Sequence, residues 1–171
     1  MTGRIKGPLM SAVVFDEQLE IPLGIRTLRD FRKWMRTPKF PETGRVDYIS
    51  GDVEVNVSRR DFFSHGGPVE AIARCLSAFI RLQKLGYLTI GQTRYVNSTA
   101  ALSCEPDLMF VSYDSVQTAR VCFVTEWKDD VDTCIEVEGA ADLVVEIVSD
   151  SSVNKDTVRL PLAYFAAGVR E

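Results

Sequence analysis

The stretch "ADLVVEIVSDSS" (Ala141–Ser152) decides how this chain is interpreted. Its centre, from Leu143 to Val148, has the aliphatic residues of a fully buried strand, apart from Glu146. An ionised carboxylate is strongly destabilised in a low-dielectric interior unless something compensates its charge. The pattern therefore predicts a buried strand whose Glu146 has a specific partner: an arginine, a proton or a metal ion.

A second acidic residue opens another apolar run, in "SCEPDLMFVS" (Ser103–Ser112). Pro106 fixes the entry into this strand, and Asp107 is its first acidic residue. Two buried strands that each carry a carboxylate repel one another unless a positive charge lies between them. Mg²⁺ prefers one or two carboxylates together with water and phosphate. The residues alone equally allow Asp107 to pair with an arginine such as Arg94, and Glu146 with another basic group.

The composition is that of a soluble globular protein of one-domain size, with 171 residues, 46% hydrophobic and 26% charged. The four cysteines form no C-x-x-C pair, and there is one histidine, so a zinc site is not expected. Reduced thiols in a cytoplasmic protein are the expected state. The early apolar run "PLMSAVVF" is interrupted and soon meets acidic residues, so neither a signal peptide nor a membrane span is predicted.

Charge is distributed unevenly along the chain. Residues 1–60 contain 11 Lys/Arg and 8 Asp/Glu, whereas residues 101–171 contain 5 and 14. The acidic second half favours cation binding, and any phosphate-binding surface is expected to draw on the basic first half. The arginines considered for phosphate contacts are Arg59, Arg60, Arg74 and Arg94.

The order of predicted elements indicates an α/β or α+β fold. Residues 1–24 show no sustained period and are predicted to form an arm. Thr27, with Asp30 three residues later, predicts a capped helix, and Gly67-Pro68 predicts the start of a second helix that ends at Gly86. "RVDYIS" and "VEVNVS" predict a hairpin, and the later strands are expected in "YLTIGQTRYV", "PDLMFV", "RVCFV", "TCIEVE" and "DLVVEIV". Pro161 predicts that the last helix begins, or is kinked, at that residue.

Two further residues are candidates for chemistry. Lys155 lies nine residues after Glu146, and its ammonium group is suited to orienting a water molecule or stabilising a charged transition state. His65, the single histidine, precedes a Gly-Gly-Pro helix start and is a candidate substrate contact or proton relay. A surface lysine and a capping or packing histidine are the structural alternatives.

Five separated motifs, in this order, resemble the bacterial Uma-two family of restriction-endonuclease-like proteins, a branch of the PD-(D/E)XK nuclease superfamily. They are "RVDYISGDV", "SHGGPVEAIARCL", "EPDLMFVS", "ADLVVEIVSDSSVNKDT" and "AAGVRE". The resemblance covers residues 25–171 and implies a mixed β-sheet core flanked by helices. It also implies a domain truncated at its C-terminus, because family members continue with Tyr-Trp and a further strand.

By position, the resemblance implies that Asp107 and Glu146 hold a catalytic Mg²⁺, with Mn²⁺ as a substitute. The backbone carbonyl of Ile147 or Val148 would complete the metal shell. Asp47 stands where family members usually have Glu and is a candidate third acid; a hairpin residue facing solvent is the alternative.

The lysine pattern departs from that of the resembled proteins. Val148 occupies the position of the superfamily lysine that follows the glutamate by two residues. Leu160 occupies the position of the family lysine between an aspartate and a tyrosine, here Asp156 and Tyr164. Lys155 is therefore the expected catalytic lysine, acting from a shifted place.

The resulting expectation is a Mg²⁺-dependent endonuclease that hydrolyses DNA phosphodiester bonds in the cytoplasm, with no membrane association and with a homodimer left open. A catalytically weak nuclease fold that binds nucleic acid or a protein partner is the alternative. A fold in which the carboxylates only form structural pairs is a third.

Overall fold

The computed structural model describes residues 12–15, 19–41, 44–56, 61–128 and 131–171. The chain divides into two compact units, Met1–Thr43 and Gly44–Glu171. The sequence-based division into an arm over residues 1–24 and a domain over residues 25–171 stays a prediction. Arg59 and Arg60, two candidate phosphate contacts, lie outside the described residues.

The first unit contains a small hairpin and one helix. Strands β1 (Ala12–Phe15) and β2 (Leu19–Pro22) pair antiparallel, and helix α1 spans Leu28–Met35. The predicted capped start of this helix is confirmed: the Asp30 backbone N–H donates to Thr27 Oγ1, and Asp30 Oδ2 accepts from the Thr27 backbone N–H. One face of this helix is apolar, because Phe31 and Trp34 are buried.

The second unit is a mixed α/β domain. Its strands are β3 (Arg45–Ile49), β4 (Asp52–Asn56), β5 (Gly86–Ile90), β6 (Tyr95–Asn97), β7 (Leu102–Cys104), β8 (Leu108–Ser112), β9 (Val121–Lys128), β10 (Val131–Gly139) and β11 (Leu143–Val145). Its helices are α2 (Gly67–Gln83), α3 (Tyr113–Gln117) and α4 (Leu160–Ala166), with π-helical turns at Phe62–Gly66 and Lys155–Arg159.

These strands form two sheets. The larger has the order β4-β3-β7-β6-β10-β9, and the smaller has the order β11-β8-β5. The β10–β6 pair is parallel whereas the other pairs are antiparallel, so the predicted mixed-sheet fold class is confirmed. Of the helices in the described residues, none has the length and apolar character needed to cross a bilayer.

Of two predictions about turns, that of the hairpin is confirmed and that of the Gly86 helix cap is wrong. The predicted hairpin is β3–β4, turning through Ser50 and Gly51, both with positive φ. The prediction that Gly86 caps helix α2 is wrong, because Lys84 takes the left-handed conformation instead. Gly86 lies in β5, where a Cβ atom would come within 2.1 Å of the Val111 carbonyl oxygen on β8. A close backbone approach therefore requires this glycine.

The carboxylate-bearing segments are shorter as strands than the apolar runs suggest. Strand β8 begins one residue after Asp107, and β11 ends one residue before Glu146. Near the C-terminus, Pro161 lies in the first turn of α4, directly after a π-helical turn, in agreement with a helix that begins near that residue.

Candidate functional site

The antiparallel register of β11 with β8 places the two carboxylates of the sequence analysis together. Val145 pairs with Leu108, so the next pair in this register would be Glu146 and Asp107. The Ile147 backbone N–H donates to Asp107 Oδ2 at 2.8 Å, which ties the two chain segments together beyond the strands. The two acids, far apart along the chain, therefore meet at one end of this strand pair.

Asp47 joins them from the β3–β4 hairpin. Its side chain is 2% exposed, so it does not face solvent as a simple hairpin residue would. Asp47 Oδ1 accepts from the Glu105 backbone N–H, two residues before Asp107. The larger sheet thus contributes Asp47 to a single buried cluster, and the smaller sheet contributes Asp107 and Glu146.

Arg45 lies among these three carboxylates. Its guanidinium nitrogens are 3.5 Å from Glu146 Oε2, 3.7 Å from Asp107 Oδ1 and 3.8 Å from Asp47 Oδ2. Burial opposes its charge, but the surrounding carboxylates outweigh burial and raise the pKa of Arg45 above its ordinary value. Sequence reasoning missed Arg45. The available signal was its position two residues before Asp47, which places both side chains on one face of a strand.

Arg94 has a different role from the pairing considered for Asp107. Its Nη1 donates to the Val46 carbonyl oxygen at 2.9 Å and lies 3.6 Å from Asp47 Oδ1. Its Nη2 donates to Glu105 Oε1 at 2.5 Å. Arg94 is therefore a buried support for the Asp47 and Glu105 side of the cluster.

Lys155 reaches the same cluster. Its Nζ is 3.1 Å from Asp47 Oδ2, and its side chain is 8% exposed, so it is not a surface lysine. The π-helical turn begins at Lys155 and buries both this residue and Asp156, whose carboxylate accepts from Ser152 Oγ. Such turns interrupt regular helical register and recur at functional sites.

His65 contacts the cluster from the π-helical turn before α2. Its Nε2 lies 3.1 Å from Asp107 Oδ2, the oxygen that also accepts from Ile147. The ring is buried. This position lets His65 orient the Asp107 carboxylate, and it sets the start of α2 beside the cluster.

Glu146 has one strong hydrogen bond in addition to its long contact with Arg45. The Tyr164 hydroxyl, from α4, donates to Glu146 Oε1 at 2.5 Å and lies 3.4 Å from Cys104 Sγ. Burial raises the pKa of Glu146 to about 7, although Arg45 and Tyr164 act in the opposite direction. Burial also raises the pKa of Tyr164 well above its ordinary value, so the hydroxyl remains a donor.

The cluster has more acidic than basic groups among the described residues. Its carboxylates are Asp47, Glu105, Asp107, Glu146 and Asp156, and its permanent cations are Arg45, Arg94 and Lys155. With every one of these carboxylates counted as ionised, the group carries two more negative than positive charges.

These residues suit a Mg²⁺ ion that keeps part of its water shell, rather than one enclosed by protein ligands alone. No group of three or more acidic, histidine or cysteine side chains within the described ranges is arranged to enclose a metal. Asp107 and Glu146 nevertheless face the same guanidinium group, and their donors are the hard oxygens that Mg²⁺ prefers. Two carboxylates completed by water and substrate oxygens is the usual ligand set for this ion.

An opening leads to the Lys155 side of the cluster. A pocket beside Asp47 and Lys155 is lined further by Glu54, Val55, Asn56, Ser151 and Ser152. Six of these seven lining residues are polar or charged. Of the cluster, Asp47 and Lys155 therefore border this pocket.

Comparison with known protein families identifies the family of this chain. A family model described as Uma2, "Putative restriction endonuclease", matches residues 28–171, so the chain belongs to this family. No curated protein sequence matches the chain significantly. The family resemblance drawn from the five motifs is thus confirmed, and the assignment of individual site residues stays a prediction.

Proposed function

We propose that this protein is a Mg²⁺-dependent endonuclease that hydrolyses DNA phosphodiester bonds at the cluster of Asp47, Asp107 and Glu146. The observation that carries the proposal is that these three acids surround one guanidinium group, that of Arg45, with Lys155 beside Asp47. Membership of a restriction endonuclease family supports the same chemistry. Action in the cytoplasm and assembly as a homodimer remain expectations.

Asp107 and Glu146 would hold the ion, together with the backbone carbonyl of Ile147. The bound ion would polarise a phosphoryl oxygen and lower the pKa of the attacking water. His65 and the Ile147 N–H fix the Asp107 carboxylate, and Tyr164 fixes that of Glu146. These contacts hold both ligands in place without occupying every lone pair.

Arg45 would turn away from the carboxylates when the ion binds. Its contacts with the acids, at 3.5–3.8 Å, are longer than the 2.7–2.9 Å typical of a charge-assisted hydrogen bond. Its buried Nε also has no hydrogen-bond partner among the described residues. An arginine held this loosely is suited to turning toward a substrate phosphate once the carboxylates have another cation.

Lys155 would act on the nucleophile or on the developing charge. Its ammonium group lies between Asp47 and the polar pocket, where a water molecule and a phosphate can both be reached. Asp47 orients this ammonium group. Asp47 would therefore position Lys155 as well as balance its charge. The shifted lysine thereby replaces those absent at Val148 and Leu160.

A catalytically weak binding module is the second candidate. Arg45 already compensates much of the charge of the acids that would hold the ion, and both usual lysine positions are aliphatic. In that case the same fold would bind nucleic acid or a protein partner without cleavage.

Plasmid cleavage in Mg²⁺, in Mn²⁺ and in EDTA tests the proposal. Wild-type protein should cleave only with a divalent cation, and Glu146→Gln or Asp107→Asn should lower the rate by about a hundredfold or more. Lys155→Met should have an effect of similar size while retaining ion binding. The matched control is Asp150→Asn, an exposed acid four residues after Glu146.

The outcomes separate the two candidates. Cleavage that persists unchanged in Glu146→Gln would rule out this site. Mg²⁺ binding by calorimetry together with DNA binding, but without cleavage, would favour the binding module. Circular dichroism on each variant shows whether a lost activity reflects a lost fold.

A further inference from the structure

Two cations on one π-helical turn reach the same β-hairpin. The turn runs from Lys155 to Arg159, so these residues lie at its two ends. Lys155 Nζ lies 3.1 Å from Asp47 Oδ2 on β3. Arg159 Nη1 donates to Glu54 Oε1 on β4. Each end of the turn is therefore held against the hairpin by an ion pair.

The two acceptors face each other across the hairpin. Asp47 pairs with Glu54 in the β3–β4 register. Residues directly opposite in an antiparallel pair project from the same face of the sheet, with Cβ atoms about 4.5–5.5 Å apart, and like charges at such positions repel. The two side chains are only 2% and 23% exposed, so solvent screens this repulsion poorly. Each acid is therefore stabilised by a cation of its own.

Lys155 shares one pocket with both acids, because Asp47, Glu54 and Lys155 all contribute to its lining. A lysine has a flexible stem and a compact charge with no planar geometry to satisfy, so it can pair with either acid. The guanidinium group of Arg159 is fixed more firmly, because its Nη2 also donates to the Ile49 carbonyl oxygen at 3.1 Å. Arg159 therefore stays with Glu54, which leaves the lysine to Asp47.

We propose that Arg159 is a positioning residue for Lys155. By occupying Glu54, it keeps the lysine ammonium group on Asp47. The inference rests on the proposed nuclease function, in which this lysine acts on the nucleophile or on the developing charge, and deepens it by naming what sets the lysine in place. Without Arg159, Glu54 would carry an uncompensated charge directly opposite Asp47. That charge would draw the ammonium group away from Asp47.

Acetylation by acetic anhydride, followed by peptide mass spectrometry on the full chain, measures where Lys155 lies. The exposed Lys84 serves as the internal reference. In wild type, Lys155 should react more slowly than Lys84, because its side chain is 8% exposed and paired with Asp47. Arg159→Gln should raise the ratio of Lys155 to Lys84 labelling by about tenfold, because a hydrogen bond to a charged group no longer opposes release of the lysine toward the more exposed Glu54.

Removing the competing acid should reverse this effect. In Arg159→Gln/Glu54→Gln, the charge that attracts Lys155 is absent, so its labelling should return to within about twofold of wild type. A purely structural role for Arg159 predicts the opposite, because the double variant loses both sides of the ion pair. Arg120→Gln is the matched control, since Arg120 also joins an acid to a backbone carbonyl and is 23% exposed, against 28% for Arg159. This control should lower stability in urea and leave Lys155 labelling unchanged.

Cleavage kinetics in Mg²⁺ supply a second readout. Arg159→Gln should lower kcat by about tenfold with little change in KM for DNA, because substrate and ion keep their contacts while the lysine is displaced. The double variant should regain most of this rate. Circular dichroism checks the fold of each variant. Should Arg159→Gln not fold, Arg159→Lys keeps the charge without the planar fork, and should raise Lys155 labelling by a smaller factor that Glu54→Gln again removes.

The failures are distinguishable. Labelling that follows these expectations in a protein that does not cleave DNA would sustain Arg159 as the residue that places Lys155 and would overturn the nuclease. Mg²⁺-dependent cleavage together with unchanged Lys155 labelling in Arg159→Gln would overturn the positioning role and leave the nuclease. A double variant labelled as heavily as Arg159→Gln would also overturn that role and assign Arg159 to fold stability alone.

Discussion

Two buried carboxylates, Asp142 and Glu146, lie at the two ends of the same short strand, and their environments differ sharply. Asp142 accepts hydrogen bonds from the Ser112 N–H at 2.7 Å and the Ser115 hydroxyl at 2.9 Å, and it pairs with Arg120 at 3.1 Å. Burial acts to raise the pKa of Asp142, but these hydrogen bonds and the arginine outweigh it and lower that pKa. Both carboxylate oxygens of Asp142 therefore accept hydrogen bonds from within the protein.

The Glu146 side chain is no more exposed than that of Asp142 but lies deeper in the protein, and it has only one short hydrogen bond, from Tyr164. Its arginine is at 3.5 Å and is shared with two other acids. Burial therefore prevails, and the pKa rises to about 7. The two acids therefore differ both in depth and in hydrogen bonding. Asp142 has its donors within the fold, whereas Glu146 lies deeper with fewer of them, and an acid with such a raised pKa is a candidate for a functional site.

The largest effect expected from this comparison is on stability, in Asp142→Ala. Removing this carboxylate leaves Arg120 and the Ser112 N–H without their shared acceptor, so the free energy of unfolding should fall by about 3–5 kcal/mol. Urea denaturation measures it. Asp150→Ala, at an exposed acid, should stay within about 0.5 kcal/mol of wild type. A loss below about 1 kcal/mol in Asp142→Ala would remove the contrast between the two acids.

A smaller and opposite effect is expected for Glu146→Gln without metal. Because the folded-state pKa of Glu146 is raised from 4.5 to about 7, the folded state binds more protons than the unfolded state between these values. The contribution of Glu146 to the free energy of unfolding is therefore fully present below pH 4.5 and is lost as the pH rises through 7. Glu146→Gln avoids that loss and should be more stable than wild type at pH 8, by about 3 kcal/mol at most.

Denaturation of both proteins in EDTA from pH 5 to pH 8 measures this difference, which should grow with pH. Glu70→Gln, an exposed glutamate on α2, should give a difference that does not change with pH. A Glu146→Gln variant that is less stable at every pH would show that Arg45 and Tyr164 already satisfy this carboxylate. In that event the cluster would be a structural ion-pair network.

Sequence reasoning identified the acids because their signal is local. Glu146 interrupts an aliphatic run and Asp107 follows a proline at a strand entry, and each pattern is visible in a few adjacent residues. Arg45 and Tyr164 were not assigned to the cluster from pattern alone, because their contacts with Glu146 span 101 and 18 residues and depend on how the sheets and α4 pack. Asp142 was passed over for the same reason: its donors come from α3 and the segments around it.

Fold class was predictable from the order of elements, but lengths and registers were not. The apolar run around Glu146 suggested a strand through Val148, whereas pairing ends at Val145, since Asp107 accepts from the Ile147 N–H with its side chain instead of its backbone. The π-helical turn at Lys155 also has no simple sequence signal. That turn decides whether Lys155 reaches Asp47, so this contact could not be predicted from the sequence.

The smallest expected effect is that of Tyr164→Phe, which removes a single hydrogen bond to Glu146. The hydroxyl donates to the charged form of Glu146, so its removal should raise the pKa of Glu146 further and destabilise the protein by about 1–2 kcal/mol at pH 8, and by less at pH 5. Denaturation across the same pH range should show the loss of stability that accompanies ionisation of Glu146 at a higher pH in this variant than in wild type. Tyr95→Phe also removes a buried hydroxyl, one that donates to the Gly139 carbonyl oxygen, and should leave the step where it is. Equal behaviour of the two variants would mean that Tyr164 contributes packing alone, and that Arg45 sets the charge state of Glu146.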